Sequence, residues 1–227
     1  MRTLSVVIPC YNERLHVAEL LRRVFAVPMP DGWKCEVIVV DDASTDGTQN
    51  VLRALEFPMR KIFRTENGGK GTALLDGFRE AAGDYFLIQD ADLEYDPKDI
   101  PALLCAVDDH MTAVYGSRYL AHTGKRGSPL IRAGVWCITE LINFLYGLRL
   151  TDANTCYKLL PRAAASLFKP GGFTSDSLIG PALVRAGYRI REVPVSYHAR
   201  TRAAGKKIKY IDGFRIVGAI LRDYWDQ

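Results

Sequence analysis

Through its first half the chain alternates short apolar runs with segments of helical period, and few architectures accept that order. Leu4 to Ile8, Val37 to Val40, Lys61 to Arg64, Tyr85 to Ile88 and Ala113 to Tyr115 read as strands. Between them, Val17/Leu20/Leu21/Val24, Leu74/Gly77/Phe78/Ala81 and Ile100/Leu103/Leu104/Val107 are each spaced as a helix with one buried face requires. Strand and helix in turn predict βαβ units, hence an α/β fold with a largely parallel sheet covered on both sides.

After Ser117 the pattern loosens. A glycine-rich, basic loop from His122 to Ser128 precedes a helix with Ile138/Leu141/Ile142/Leu145 on one side, and Thr174 to Ala186 reads as another helix. Arg189 to Tyr197 alternates toward a strand. Arg200 to Lys209 is basic and poor in large apolar residues, so a loop is expected, followed by an amphipathic helix on Ile211/Phe214/Val217/Leu221/Tyr224. With no internal repeat and no linker, 227 residues suit one core with a C-terminal extension.

Charge divides the chain. Residues 1 to 114 carry 12 Lys+Arg against 19 Asp+Glu, whereas residues 115 to 227 carry 18 against 7. A basic half of this size points to polyanions: phosphates, acidic lipid or nucleic acid. Nucleic acid is disfavoured because no recognisable binding module accompanies the charge. The five cysteines are odd in number and scattered, without a C-x-x-C, so neither a disulfide framework nor a zinc site is expected; buried, reduced thiols in a cytosolic protein are. The start MRTLSVVIP reads as a first strand and not a signal peptide. The most lipophilic stretch, Leu130 to Leu148, is broken by Arg132, Glu140 and Asn143 and falls short of the ~18 uninterrupted apolar residues of a spanning helix.

Carboxylates cluster where apolar strands end. Gln89-Asp90-Ala91-Asp92-Leu93-Glu94 delivers an Asp-x-Asp pair from the carboxyl end of a strand, the edge at which open α/β sheets bind ligands. Such a pair suits a hard divalent cation that also grips phosphate oxygens. Asp41-Asp42 leaves the second strand, and Asp42 is well placed for a base or ribose hydroxyl; Asp46, four residues on, reads as a helix cap. In Pro9-Cys10-Tyr11-Asn12-Glu13 the asparagine is either a cap or part of a turn that presents Tyr11 and Glu13 to the same edge. Asn67-Gly68-Gly69-Lys70-Gly71 lacks the Walker A spacing, and a tight turn or a direct role for Lys70 fits it equally.

Taken in order, strand-YNE, strand-DDxSxDGT, NxGKGxA, DAD after a buried strand, and GSR resemble an inverting glycosyltransferase of family 2. QDADLEYDPKDIP, VYGSRY and GYRIREVPVSYHARTRAAGKKI are similar to dolichyl- and polyprenyl-phosphate sugar synthases, and the likeness covers nearly the whole chain. That resemblance implies a GT-A fold, a Rossmann-like αβα sandwich over residues 1–227, with a nucleotide-sugar and metal-binding half (1–118) and an acceptor and membrane-facing half (119–227). It assigns Pro9, Tyr11, Glu13, Asp42, Lys70, Asp90 and Arg200 to the nucleoside-diphosphate sugar, and Asp92 and Glu94 to Mg²⁺ or Mn²⁺. Relatives often carry Gln at the Glu94 position, so the glutamate implies tighter metal binding. Arg118 and Arg132 fall to the acceptor phosphate or donor diphosphate, a task suited to a guanidinium fork.

Asp90, Arg118 and Asp176 are the expected catalytic residues. Ser175-Asp176 stands where many relatives have a Glu-Asp pair, so Asp176 is either the general base or a cap for the helix after Thr174. An anionic lipid phosphate needs little base catalysis. The resemblance therefore implies transfer from GDP-mannose or a UDP-sugar to polyprenyl or dolichyl phosphate by a cytoplasmic enzyme held peripherally on an anionic membrane, with a homo-oligomer as one option for its assembly. The rivals are a family 2 enzyme acting on a glycan or small-molecule hydroxyl, and a non-catalytic nucleotide-sugar-binding module.

Overall fold

A seven-stranded sheet organises the structure, a computed structural model describing residues 1–120, 128–172, 174–200 and 210–226. The strands are β1 (Arg2–Cys10), β2 (Trp33–Asp41), β3 (Arg60–Phe63), β4 (Tyr85–Ile88), β5 (Thr112–Ser117), β6 (Lys158–Pro161) and β7 (Arg189–Pro194), in the spatial order β3-β2-β1-β4-β6-β5-β7. The helices are α1 (Val17–Phe25), α2 (Thr48–Ala54), α3 (Lys70–Glu80), α4 (Ile100–Cys105), α5 (Pro129–Tyr146), α6 (Thr174–Arg185) and α7 (Tyr210–Trp225).

Alternate residues of each strand feed two separate cores. From β1, Leu4, Val6 and Ile8 meet α1, α4 and Leu52 of α2 on one side, while Val7 joins α3, α5 and α6 on the other. The four spaced residues of α1 are all buried, as are those of α3. Each such side chain contributes roughly 1.5–3 kcal/mol on leaving water, so the two faces together fix the three-layer αβα arrangement.

The predicted strands are present, with ends displaced by a few residues. β6 was not foreseen. Only four residues long and closed by Pro161, it runs antiparallel between β4 and β5, and the remaining strands all point the same way. Because Lys158 pairs with Tyr115 and Leu159 with Leu87, the reversed strand enters from the carboxyl edge of its neighbours. The segment before it, Thr151 to Tyr157, is thereby carried to that edge.

Three expectations need correction. Cys35, Cys105 and Cys137 are exposed and not buried; all five cysteines are free. On α5, Ile138 and Ile142 are buried and Leu141 and Leu145 pack against the same core, so that stripe faces inward and is unavailable to lipid. On α7 the core-facing residues are Ile216, Val217 and Ile220, leaving Phe214, Leu221 and Tyr224 exposed. Among the described residues no helix is long and apolar enough to cross a membrane. The expected loops at His122 to Gly127 and at 201–209 lie outside the described residues.

Candidate active site

Three loops meet at the carboxyl edge, and each contains one non-glycine residue in the left-handed region: Asn12 at φ 52°, Ala43 at 59° and Leu93 at 62°. Such conformations cost of order 1 kcal/mol or more and persist only where surrounding contacts hold the backbone. Asn12 is not a helix cap, since α1 starts at Val17. Its Oδ1 accepts from Thr45 N (2.8 Å) and its N donates to Ser44 Oγ (2.9 Å), sewing the β1 and β2 loops together. Asp46 accepts from Thr48 N at 2.9 Å, a local turn contact, but the cap position of α2 belongs to Gly47 and has no side-chain cap hydrogen bond.

Asp42 organises the glycine loop. Its buried carboxylate accepts from Gly68 N (2.9 Å) and Gly69 N (2.8 Å) and pairs with Arg64 at 2.9 Å. The loop then delivers Lys70 as the first residue of α3. Gly71 N donates to Gly171 O at 2.6 Å, and a Cβ at Gly71 would lie 2.7 Å from that oxygen, so only glycine permits the approach.

Lys70 Nζ lies 2.7 Å from Asp90 Oδ1 and 2.9 Å from Asp176 Oδ2. Burial opposes its charge, but the carboxylates of Asp176 and Asp90 more than offset this and hold the ammonium well above the usual lysine range. Asp90 is drawn down in spite of its burial, chiefly by Lys70. The alternative of Asp176 as a helix cap is not what the structure shows: its oxygens accept no hydrogen bond from the α6 backbone.

Asp92 has the opposite problem. Burial first, then the charges of Asp90 and Glu94, push its carboxyl up to about 7, against the pull of Arg200. Arg200 Nη2 is 3.1 Å from Asp92 Oδ2, and the same guanidinium grips Glu13 at 2.9 and 3.1 Å. Glu94 accepts from Tyr197 Oη and Arg200 N, both at 2.7 Å. A bridge between Tyr95 and Tyr197 brings this last segment over the β4 loop.

Arg118 follows β5 and is held by Asp152, with Nε to Oδ2 and Nη2 to Oδ1 both at 2.7 Å. Asp152 is fully buried and its own N donates to Glu192 Oε1 at 3.0 Å. A cavity of 290 Å³ is bordered by Pro9, Tyr11, Glu13, Asp42, Lys70, Asp90, Asp92, Glu94, Arg118 and Arg200, so ten expected residues share one site. Asp176 reaches it through Lys70. Arg132 does not border it: it lies in the first turn of α5 with Nε buried and unpartnered among the described residues.

The residues also fit a hard divalent cation. Two carboxylates, Asp92 and Glu94, face the cavity with oxygen atoms of the kind such a cation takes, while among the described residues no group of three His, Cys, Asp or Glu side chains is gathered to hold a metal ion, so its remaining ligands would have to come from the substrate. Sequence reasoning left Asn154 and Cys156 out of the site, although both border the cavity. Their segment, TDANTCYK, carries no periodicity, and only the reversed β6 explains its position.

An αβα sheet with its loops and an Asp-x-Asp cluster gathered at its carboxyl edge is the GT-A class of fold. The family model for glycosyl transferase family 2 matches residues 5–167, and the chain belongs to that family. The dolichol-phosphate mannosyltransferase of Pyrococcus furiosus is 40% identical over 130 residues, 56% of this chain and 36% of that protein. The dodecaprenyl-phosphate galacturonate synthase of Rhizobium johnstonii is 31% identical over 215 residues, 89% and 61% respectively. The chain thus spans less than two thirds of the length of these curated relatives. Among solved structures, glucosyl-3-phosphoglycerate synthase from Mycobacterium tuberculosis, in complex with Mn²⁺, UDP and phosphoglyceric acid, superposes with a TM-score of 0.72 at 20% identity over 98% of this chain and 78% of that one. A Pyrobaculum calidifontis mannosyltransferase in complex with GDP-mannose and Mn²⁺ gives 0.64 at 23% identity over 91% and 58%.

Proposed function

We propose that the protein transfers a sugar, with inversion, from a nucleoside-diphosphate sugar to a polyprenyl or dolichyl phosphate at a membrane surface. The observation that carries this reading is the single cavity that joins the Asp90-Asp92-Glu94 cluster to Arg118. The Pyrococcus and Rhizobium relatives support it, because their names differ in the sugar yet share a polyprenol-type phosphate acceptor.

In this reading Pro9, Tyr11, Glu13 and Asp42 frame the nucleoside, and Asp90 with Lys70 faces the ribose or sugar. Asp92 and Glu94 would hold Mg²⁺ or Mn²⁺, which would neutralise the diphosphate and make it a better leaving group. Arg200, which pairs with Glu13 and Asp92, is among the described residues the cation nearest to where that metal would sit and would add its charge to the diphosphate. Arg118, aligned by Asp152 through Nε and Nη2, presents the remaining Nη edge of its guanidinium to the acceptor phosphate, whose oxygen attacks the anomeric carbon from the face opposite the nucleotide. Arg132 is a second candidate for that phosphate, from the start of α5. A hydroxyl acceptor would require a free base, and the ion pair between Asp176 and Lys70 argues against one.

The acceptor reading also places the protein peripherally on the cytoplasmic face of a membrane. Incubation with Mn²⁺, polyprenyl phosphate and a panel of labelled nucleotide sugars tests the whole proposal. A lipid-linked sugar that disappears with EDTA is expected; transfer only to soluble acceptors would overturn it.

A further inference from the structure

Asn154 borders the cavity with an amide group the fold leaves incomplete. Its Oδ1 accepts a hydrogen bond from Ser177 Oγ at 2.6 Å, which turns the NH₂ the other way. Nδ2 is buried and has no hydrogen-bond partner among the described residues. A buried donor left unmade costs about 1–3 kcal/mol, and native folds retain few such groups without a reason.

Its neighbours indicate what completes it. Two residues earlier, Asp152 grips Arg118 at 2.7 Å; two residues later, Cys156 lies against Asp90; and Ser177 adjoins Asp176. The Asp90 and Asp176 side offers carboxylates, which suit the hydroxyls of a sugar. Arg118, although paired with Asp152 through Nε and Nη2, has further N–H groups that suit an anionic oxygen, and an uncharged amide adds a directed hydrogen bond there without another charge to desolvate.

We infer that Asn154 is a substrate-contacting residue that donates a hydrogen bond from Nδ2 to a phosphate oxygen of the acceptor. This rests on the phosphate-acceptor reading of the same site. Ser177 acts as its positioning residue, since its hydroxyl holds Oδ1 and so sets which way the donor points.

Calorimetric titration with farnesyl phosphate, in the presence of Mn²⁺ and UDP or GDP, reads the contact directly, with nucleotide binding measured in parallel. A hydrogen bond to a charged group converts to about 10- to 100-fold in affinity. Asn154→Ala should weaken the monophosphate by about 10-fold, Asn154→Asp by more because a carboxylate repels it, and Ser177→Ala by only a few-fold. Nucleotide affinity should stay within about two-fold of wild type, since only the acceptor contact is removed. Unchanged farnesyl phosphate affinity in folded Asn154→Ala or in the isosteric Asn154→Asp overturns the contact and leaves the acceptor reading standing. Weakened nucleotide binding instead would move Asn154 to the donor and overturn it equally. A wild-type protein that binds no prenyl phosphate removes both.

Discussion

Lys70 stands between Asp90 and Asp176, and all three are largely shut away from water. Removing one partner of a buried ion pair typically costs about 3–5 kcal/mol because the remaining charge is stranded. Lys70→Met should destabilise the protein by about that amount in urea titration, and adding Asp176→Asn should recover part of it. A Lys70→Met variant as stable as wild type would mean the pair is hydrated. Asp92 behaves differently. Its carboxyl is raised to about 7 in the fold against about 3.9 unfolded, so between these values the folded state holds a proton that the unfolded chain has lost. Its contribution is therefore fully present below pH 4 and is lost as pH rises through 7. Asp92→Asn should be at least as stable as wild type at pH 8, with that part of the pH dependence gone, while losing turnover and Mn²⁺-dependent stabilisation. Thermal melts from pH 5 to 8 check the sign: a variant markedly less stable than wild type at pH 8 contradicts it. Arg118 gives a geometric test. Its fork already matches Asp152 through two bonds, so Arg118→Lys should weaken prenyl phosphate binding by about 10-fold or more although charge is kept, read by the same calorimetry. Equal affinity would take Arg118 out of the acceptor site.

At the level of elements, the site depends on α3 and the turn before α6 approaching backbone to backbone. Gly71 N meets Gly171 O, and Gly171 N donates to Thr72 Oγ1 at 3.3 Å. Gly71→Ala should push these segments apart, loosening the Lys70–Asp176 pair, with a loss of about 1–3 kcal/mol and a larger fall in activity than in stability. Preserved kinetics would show that the turn yields easily. These same elements mark what was legible in the sequence. Val17/Leu20/Leu21/Val24 and the apolar strands announced themselves because a helix face and a doubly covered strand each impose a period on composition. Asp42, Asp90, Asp92 and Glu94 were legible because polar residues ending apolar runs have few places to go. β6 was not, since four residues ending in proline have no period to display, and without it the neighbourhood of Asp152, Asn154 and Cys156 could not be placed. Nor does sequence distinguish a capping aspartate from a buried ion-paired one, and at Asp176 only the position of its oxygens beside Lys70 separates the two. Amphipathic stripes on α5 and α7 were visible, but which side the core takes is decided by neighbouring elements.

Across the whole molecule, the inward stripes leave another apolar surface unaccounted for. Trp136 is 62% exposed and Phe144 85% exposed on α5, while Phe214 and Trp225 on α7 are each 79% exposed. The two helices are joined by a hydrogen bond from Tyr146 Oη to Ile220 O and by an edge-on contact between Tyr146 and Tyr224. Phe214, Leu221 and Trp225 fall at i, i+7 and i+11, hence on one face of α7, with Arg215 and Arg222 also exposed. Aromatic side chains beside arginines suit the interface of an anionic bilayer, where each basic residue near the surface adds about 1 kcal/mol and each buried aromatic adds apolar area. The protein should therefore pellet with vesicles containing anionic lipid. Raising salt should weaken binding without abolishing it, because insertion of apolar side chains is not screened. Replacing Trp136, Phe144, Phe214 and Trp225 with serine should remove the salt-resistant part alone and leave transfer to a detergent-solubilised acceptor intact, since none of the four borders the cavity. If wild type and the quadruple variant co-sediment equally, the aromatic surface does not touch lipid. If neither binds at low salt, the acceptor does not reach the site from a membrane.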